Sequence, residues 1–349
     1  MAPKKQRRSS TALLRYLGLR LVLLIPTVLI LVTVVFLFMR VIGDPITAAQ
    51  GGRLTAAQLE ERKEAAGYNR PIWVQYFEYL GNVLRGDFGV ATKDHRAIVD
   101  VLITNGAATV ELVVCALIVA FAVGIPLGRL AARYHDRLPD VAIRTFAVLF
   151  YAAPVFFVGL LAKLLFSSAL GWLPSSGRAS FDTRLELGRI DNPSHFLIID
   201  AIRSGNGAYL GDVLRHAVLP ALTLGLLTAG VFIRLIRINL LETVRADYVT
   251  AARARGVPER RVVSKHAFRN ALIPVVTVMG MEIALMLGGA ILTETTFEWD
   301  GIGYQLSQYL LARDFVAVQG IVTAIALVVA VASFLIDVIN ALVDPRVRY

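Results

Sequence analysis

LRLVLLIPTVLILVTVVFLFMRV, residues 19–41, is apolar throughout apart from Arg20, Arg40 and the hydroxyl of Thr27 and Thr33, and its reading decides the fold. A bilayer core about 30 Å thick takes roughly 20 apolar residues as helix. Inside lipid, a chain satisfies its own backbone hydrogen bonds only as a helix or a closed barrel. The stretch is therefore predicted to be a transmembrane helix. Five further apolar blocks follow, at residues 106–130, 145–170, 217–238, 273–296 and 316–342. The expectation is an all-α integral membrane protein with six transmembrane helices. Composition agrees: 56% of the 349 residues are hydrophobic, 18% are charged, and the mean hydropathy is +0.63, which excludes an ordinary soluble domain.

A basic stretch (Lys4, Lys5, Arg7, Arg8) precedes the first block, as in a signal peptide. The apolar run is longer than a signal core, and no small-x-small cleavage site closes it, so a retained span is expected. Residues 1–18 then form a basic cytoplasmic tail. Lysine and arginine set the orientation. Four basic residues lie in 129–144 and nine in 234–269, and this density marks both loops, the N-terminus and the tail 343–349 as cytoplasmic. The net charge of +10 is thus a topological signal with attraction to anionic lipid, and no nucleic-acid partner is expected. Cys115 lies within the second span as a small apolar filler.

Residues 42–105 are external and too long for a bare loop. Thr55 and Gln58 form a capping box ahead of a helix over 56–66, with Gly67 at the stop position. Pro71 opens a second short helix that Gly86 ends. Trp73, Val74, Phe77, Leu80 and Leu84 share one face of it. Such a helix suits either the membrane–water boundary or the protein's own outer surface. Residues 106–342 form a five-helix core that includes the inner loop 239–272.

That loop is the most informative part. Residues 240–255 read as one helix, and Gly256 stands where a helix ends in the left-handed conformation. Val257-Pro258-Glu259 starts another helix, with Pro in its first turn and an acid at the positive end of the dipole. Ala251 and Ala252 leave a shallow surface, flanked by Tyr248 and Val257 as apolar anchors. A helix–Gly–helix elbow whose arms continue into spans four and five suits the docking of a partner. A plain hairpin joining two spans carries the same pattern.

Residues 245–276, RADYVTAARARGVPERRVVSKHAFRNALIPVV, resemble the signature loop of ABC-importer permeases of the dipeptide/oligopeptide branch. Ala251, Ala252 and Gly256 keep the spacing of its Glu-Ala-Ala-x3-Gly consensus, and Thr250 replaces the Glu. The same branch is resembled by GDP (Gly43–Pro45), RPIWVQYFEYLGNVLRGDFG (Arg70–Gly89), TVEL (Thr109–Leu112) and LGWLPSSGR (Leu170–Arg178). HAVLPALTLGL (His216–Leu226), GGAILTETTFEWDGIG (Gly288–Gly303) and DPRVRY (Asp344–Tyr349) complete the set. The resemblance implies the type I ABC-importer permease fold in the cell (plasma/inner) membrane. It also implies a second homologous permease, two ATP-binding subunits, an extracytoplasmic substrate-binding protein and a peptide substrate. The coupling loop would use Asp247, Tyr248, Ala251, Ala252, Arg253, Gly256 and Val257. No phosphate-binding Gly-x4-Gly-Lys-Ser/Thr motif is present, so ATP-Mg is expected in the ATPase subunits and no cofactor in this chain. Nickel chelates, glutathione, haem or oligosaccharides are alternative cargoes. A stand-alone secondary transporter would call for inverted repeats with broken helices, and the sequence offers none.

Candidate path residues lie within the spans. Glu282 falls about 12 Å inside the fifth span, counted from Pro274 at 1.5 Å per residue. Facing lipid it would cost on the order of 2.5–3.5 kcal/mol. It is expected either to contact a substrate amine or a gate, or to pack, protonated or helix-bonded, against the second permease. Lys163 either meets a substrate carboxylate or snorkels to the outer interface, and Glu111 reaches that interface too. Gly288 and Gly289 allow close packing or a bend. His95, His135, His195, His216 and His266 have no ligand spacing, so no metal site and no catalytic residue is expected.

Overall fold

Eleven residues after Leu138 the chain meets Leu149–Tyr151 and then Pro154, and here the expected third span breaks. In the computed structural model, which describes residues 5–42, 47, 55–65, 67–258 and 261–343, the helical segments Leu138–Ala152 and Val155–Ala169 meet at 104°. Pro154 has no N–H and pushes the preceding residue out of the helical region; Ala153 accordingly sits at φ −76°, ψ 136°. The single helix expected over 145–170 is therefore a bent pair. The motifs Gly43–Pro45 and Asp344–Tyr349, most of the tail 343–349, and Glu259 and Arg260 of the inner loop lie outside the described residues.

In chain order the helices are α1 (Lys5–Ile42), α2 (Ala56–Ala65), α3 (Ile72–Leu84), α4 (Ile98–Arg133), α5 (Leu138–Ala152) and α6 (Val155–Ala162), the last extended by a π turn over Lys163–Ala169. Then come α7 (Phe181–Leu187), α8 (Leu197–Arg203), α9 (Gly207–Val244), α10 (Asp247–Ala254) and a π turn, Val262–Ala267. The chain ends in α11 (Phe268–Gly289), α12 (Ile291–Phe297), α13 (Ile302–Leu311) and α14 (Phe315–Val343). Among the described residues, four helices (α1, α4, α9 and α14) are long and apolar enough to cross a membrane, and the bent pair adds a fifth candidate. The apolar helix α11 has 22 residues. It begins before the predicted residue 273 and ends before 296, with α12 following after Ala290. Likewise α1 begins at Lys5, so residues 5–18 of the expected tail are helical.

The chain divides into two units. The first contains residues 1–109 and 300–335. Its core joins Ala91, Ile98 and Val101 to Tyr309, Ala317, Val318 and Ile321. Gly320 is required there, because a Cβ would stand 2.4 Å from the Phe88 carbonyl oxygen. The Tyr309 hydroxyl donates to Asp94 at 2.9 Å, and burial, helped by the Asp94 carboxylate, holds that phenol above its ordinary range. Asp314 accepts from the Lys93 N–H at 2.8 Å, which ties the turn before α4 to the start of α14. The predicted capping box is present: the Thr55 N–H donates to Gln58 Oε1 at 3.1 Å and the Gln58 N–H to Thr55 Oγ1 at 3.4 Å. Gly67 and Gly86 take φ of +75° and +78°, the left-handed stops expected after α2 and α3.

The second unit contains residues 110–299 and 336–349, with α9 as its spine. Glycine lets the helices approach closely. A Cβ at Gly225 would lie 2.6 Å from the Ala116 carbonyl oxygen, and one at Gly230 would lie 2.8 Å from that of Ala147. Phe121 and Phe232 stack at 5.1 Å in the same contact. A small subdomain around α7 and α8 packs Ala179, Leu187, Ala201 and Val213 together.

Candidate functional site

The loop expected on the inner side begins where α9 stops. Val244 is the last helical residue, Arg245 holds φ −89°, ψ −4°, and Ala246 is extended at φ −71°, ψ 148°. The helix expected over 240–255 is thus two helices, and α10 is a separate eight-residue segment. The reason is local. Asp247 enters the first turn of α10, where its charge favours the positive end of the dipole. Arg253 Nη1 reaches back to the Val244 carbonyl at 3.2 Å, satisfying an acceptor that the end of α9 leaves open. The expected stiff continuation of this arm into span four is replaced by an articulated turn.

The end of α10 is a complete Schellman motif. Gly256 adopts φ +75°, its N–H donates to the Arg253 carbonyl at 2.9 Å, and the Val257 N–H donates to that of Ala252 at 3.3 Å. The apolar contact that accompanies this cap is present, since Ala252 and Val257 join one cluster with Ala132, Leu240, Val249, Val262, Ala267 and Ala271. Val249 is fully buried there. The second arm opens as predicted at Pro258, whose carbonyl accepts from the Arg261 and Val262 N–H groups at 2.8 and 3.1 Å. Its first described turn is of π type before α11 takes over.

The cluster sorts the predicted loop residues. Asp247, Tyr248, Ala251, Arg253 and Gly256 are exposed, Tyr248 to 44%. Val257, expected as an outward anchor, points its side chain into the loop's own core, and Ala252 turns half inward beside it. The outward face is therefore narrower than predicted: Tyr248 and Ala251, three residues apart on one side of α10, with Asp247 at one end. A short, small-faced, polar-rimmed helix held rigidly by one buried valine and a glycine cap can seat in a partner's groove.

The path candidates lie on two elements, Lys163 in the π turn after α6 and Glu282, Gly288 and Gly289 on α11. Glu282 is half-buried on α11, between exposed Met281 and Leu285 and near Gly280, where a Cβ would stand 2.5 Å from Ile336 Cγ2. The Lys163 ammonium donates to the Thr296 carbonyl at 2.8 Å and lies 5.8 Å from the Phe297 ring centre. This fastens the π turn after α6 to the end of α12. Gly288 and Gly289 are the last two residues of α11, and their surroundings lie outside the described side chains.

Two buried ion pairs escaped the sequence reading. Glu111, expected at the external interface, is turned into the protein. It is buried, accepts from Arg178 Nη2 and takes the Ile198 N–H at 2.6 Å, while Arg178 also donates to the His195 carbonyl at 3.2 Å. Asp140, fully buried, accepts twice from Arg237. The available signal was an ionised residue inside an apolar run, Glu111 in α4 and Arg237 in α9. Their partners stand 67 and 97 residues away, which no local pattern reveals.

Residues 124–349 match the family described as binding-protein-dependent transport system inner membrane component. Residues 13–122 match the N-terminal family of the same membrane components. The chain is 36% identical over 339 residues to the di/tripeptide transport system permease protein DppB of Pseudomonas aeruginosa (strain UCBPP-PA14), covering 97% of this chain and 99% of that protein. It is 36% identical over 340 residues to the dipeptide transport system permease protein DppB of Escherichia coli (strain K12), with the same coverage. The glutathione transport system permease protein GsiC of Escherichia coli (strain K12) is 32% identical over 338 residues, 97% of this chain and all of that protein.

Proposed function

This chain belongs to the family of binding-protein-dependent transport system inner membrane components, and on that footing we propose that it is the permease subunit through which an ATP-driven importer takes up di- and oligopeptides. As a family member it is a multi-pass component of the inner membrane, and it is a transport component rather than an enzyme. Six spans with both termini cytoplasmic are the topology of choice, supported by the four long helices, the bent α5–α6 pair and the apolar α11. The chain pairs with a second homologous permease to enclose the path. Two ATP-binding subunits, which carry the ATP-Mg, seat on the loop around Gly256, and an extracytoplasmic binding protein delivers the substrate.

The observation that carries the cargo assignment is identity of 36% to dipeptide permeases across 97% of the chain. The glutathione relative points to the same class, since glutathione is itself a tripeptide. The coupling role rests on α10: its exposed face is short and small, and its buried face is anchored to both neighbouring helices through Leu240, Val262 and Ala271. ATPase closing on Tyr248 and Ala251 would move a unit that cannot deform internally.

The test is reconstitution of the complex in liposomes with its binding protein and a labelled dipeptide. ATP-dependent accumulation that competing dipeptides abolish is expected. Purification of the chain without an ATPase, or uptake that persists without ATP, overturns the assignment.

A further inference from the structure

Helix α3 carries three kinds of surface where a helix packed on its own protein needs two. At 3.6 residues per turn, Tyr76, Tyr79 and Val83 form one sector, in which Tyr76 and Tyr79 pack on α1 and the Tyr79 hydroxyl also meets Thr323 Oγ1 of α14 at 2.5 Å. Phe36 of α1 is buried beneath the Tyr76 and Tyr79 rings, at 5.4 and 5.7 Å, and Thr33 Oγ1 lies 2.7 Å from the Tyr76 hydroxyl. Gln75, Glu78 and Asn82 form a polar sector on one flank of that first one, where Glu78 pairs with Arg70 at 2.6 Å. On the other flank, nearly opposite the polar sector, lies a third, Trp73, Phe77 and Leu84, exposed to 64%, 67% and 80%. Leu80 completes this stripe.

We infer that this third sector is a membrane-seated anchor: α3 lies along the lipid–water boundary of the leaflet where α1 ends, with Trp73, Phe77 and Leu84 in the acyl region and Glu78 and Asn82 toward water. The stripe is continuous with lipid-facing surface, since α1 buries only a narrow line at Val32 and Phe36 while Val34, Leu37, Phe38 and Val41 beside it stand exposed. The depth agrees. Arg40 marks the end of the apolar run, with its guanidinium 4.4 Å from the Tyr68 ring centre. Phe36, the residue that α3 sits on, is one turn deeper, about 6 Å at 1.5 Å per residue. Interfacial helices sink roughly 5–10 Å into this boundary, and Trp and Tyr concentrate there. Arg70 and Arg85 at the two ends of α3 place cations where lipid phosphates lie. The helix thereby braces the outward end of α1, and the assignment holds whichever side of the membrane that end faces.

The experiment uses the whole assembled transporter in liposomes. In a Cys115→Ala background, nitroxide labels are placed at Trp73→Cys, Phe77→Cys and Leu84→Cys, and for comparison at Glu78→Cys and Asn82→Cys. Relaxation by oxygen is compared with relaxation by a water-soluble nickel chelate. Oxygen is expected to dominate at positions 73, 77 and 84, and nickel at 78 and 82. Nickel dominance at 73 and 77 overturns the anchor, because the helix then lies in water. Exclusion of both agents from immobilised labels overturns it too, because a protein partner then covers the stripe. A second measurement avoids cysteines: lipids brominated along the acyl chain should quench an emission component that Trp73→Phe removes, and equal quenching of the two proteins refutes the proposal.

Discussion

Arg237 grips Asp140 at two points, Nε to Oδ1 and Nη2 to Oδ2, each at 2.7 Å. The Asp136 N–H adds a third contact to the carboxylate at 2.9 Å. A carboxylate with no exposed surface is stable only when its charge and lone pairs are answered, and this one is answered by a guanidinium from the inner end of α9. The grip fixes the short loop 134–137 against the helix that leads to α10, so the candidate docking loop rests on a rigid base.

Replacing Asp140 by Asn leaves Arg237 half-answered in a buried site. A loss on the order of 3–5 kcal/mol is expected, the usual cost of breaking a buried pair from one side. Asp140→Leu combined with Arg237→Met should recover most of it. Thermal unfolding of the detergent-solubilised complex checks both, and a double variant no more stable than Asp140→Asn would show that the pair does more than hold the loop.

Gly256→Val meets no neighbour, for nothing lies within 4 Å of the Cβ it would add. Its penalty is conformational: φ +75° costs a side chain roughly 1–2 kcal/mol, more if β-branched. Uptake is expected to fall severalfold while membrane insertion stays normal. Gly256→Asn, which tolerates the left-handed region better, should retain more uptake than Val. Equal uptake in the two variants would count against the cap as the sensitive element.

Ala251 and Val249 separate docking from folding. Ala251→Phe enlarges the exposed face and should reduce the ATPase recovered with the permease at unchanged thermal stability. Val249→Ala removes two carbons from a fully buried side chain, costing about 1.6 kcal/mol at 0.8 per carbon before any cavity contribution. Affinity capture and a melting curve on the two proteins distinguish these outcomes, and a stability loss in Ala251→Phe would place that residue inside the core.

Glu282→Gln tests the path. Should Glu282 meet substrate, uptake of cationic dipeptides should drop more than that of neutral ones. Equal rates for lysine-containing and alanine-only dipeptides would assign Glu282 to packing.

Glu111→Gln weakens the clamp that holds Arg178 and the start of α8 to α4. The α7–α8 subdomain should become more protease-sensitive around residues 189–195 while the spans stay protected. Limited proteolysis of sealed vesicles with that subdomain exposed reads the difference directly.

Local pattern carried the helical membrane class, the capping box at Thr55, the stops at Gly67, Gly86 and Gly256, and the restart at Pro258. Each depends on a few neighbouring residues whose dihedral preferences or apolar run length are intrinsic. Pro154 also stood in plain view, but whether a proline is absorbed in a helix, as at Pro26, Pro126 and Pro220, or breaks one depends on the packing around it.

Tertiary structure decided the remainder. Whether Ala251 or Ala252 faces outward depends on where the core of Leu240, Val262 and Ala271 lies. The separation of α10 from α9 depends on an arginine that reaches back nine residues to a carbonyl. The partners of Glu111, Asp140 and Lys163 depend on chain segments brought together from 67, 97 and 133 residues away. Composition demands that a buried charge be answered, and only the packing of helices selects which residue answers it.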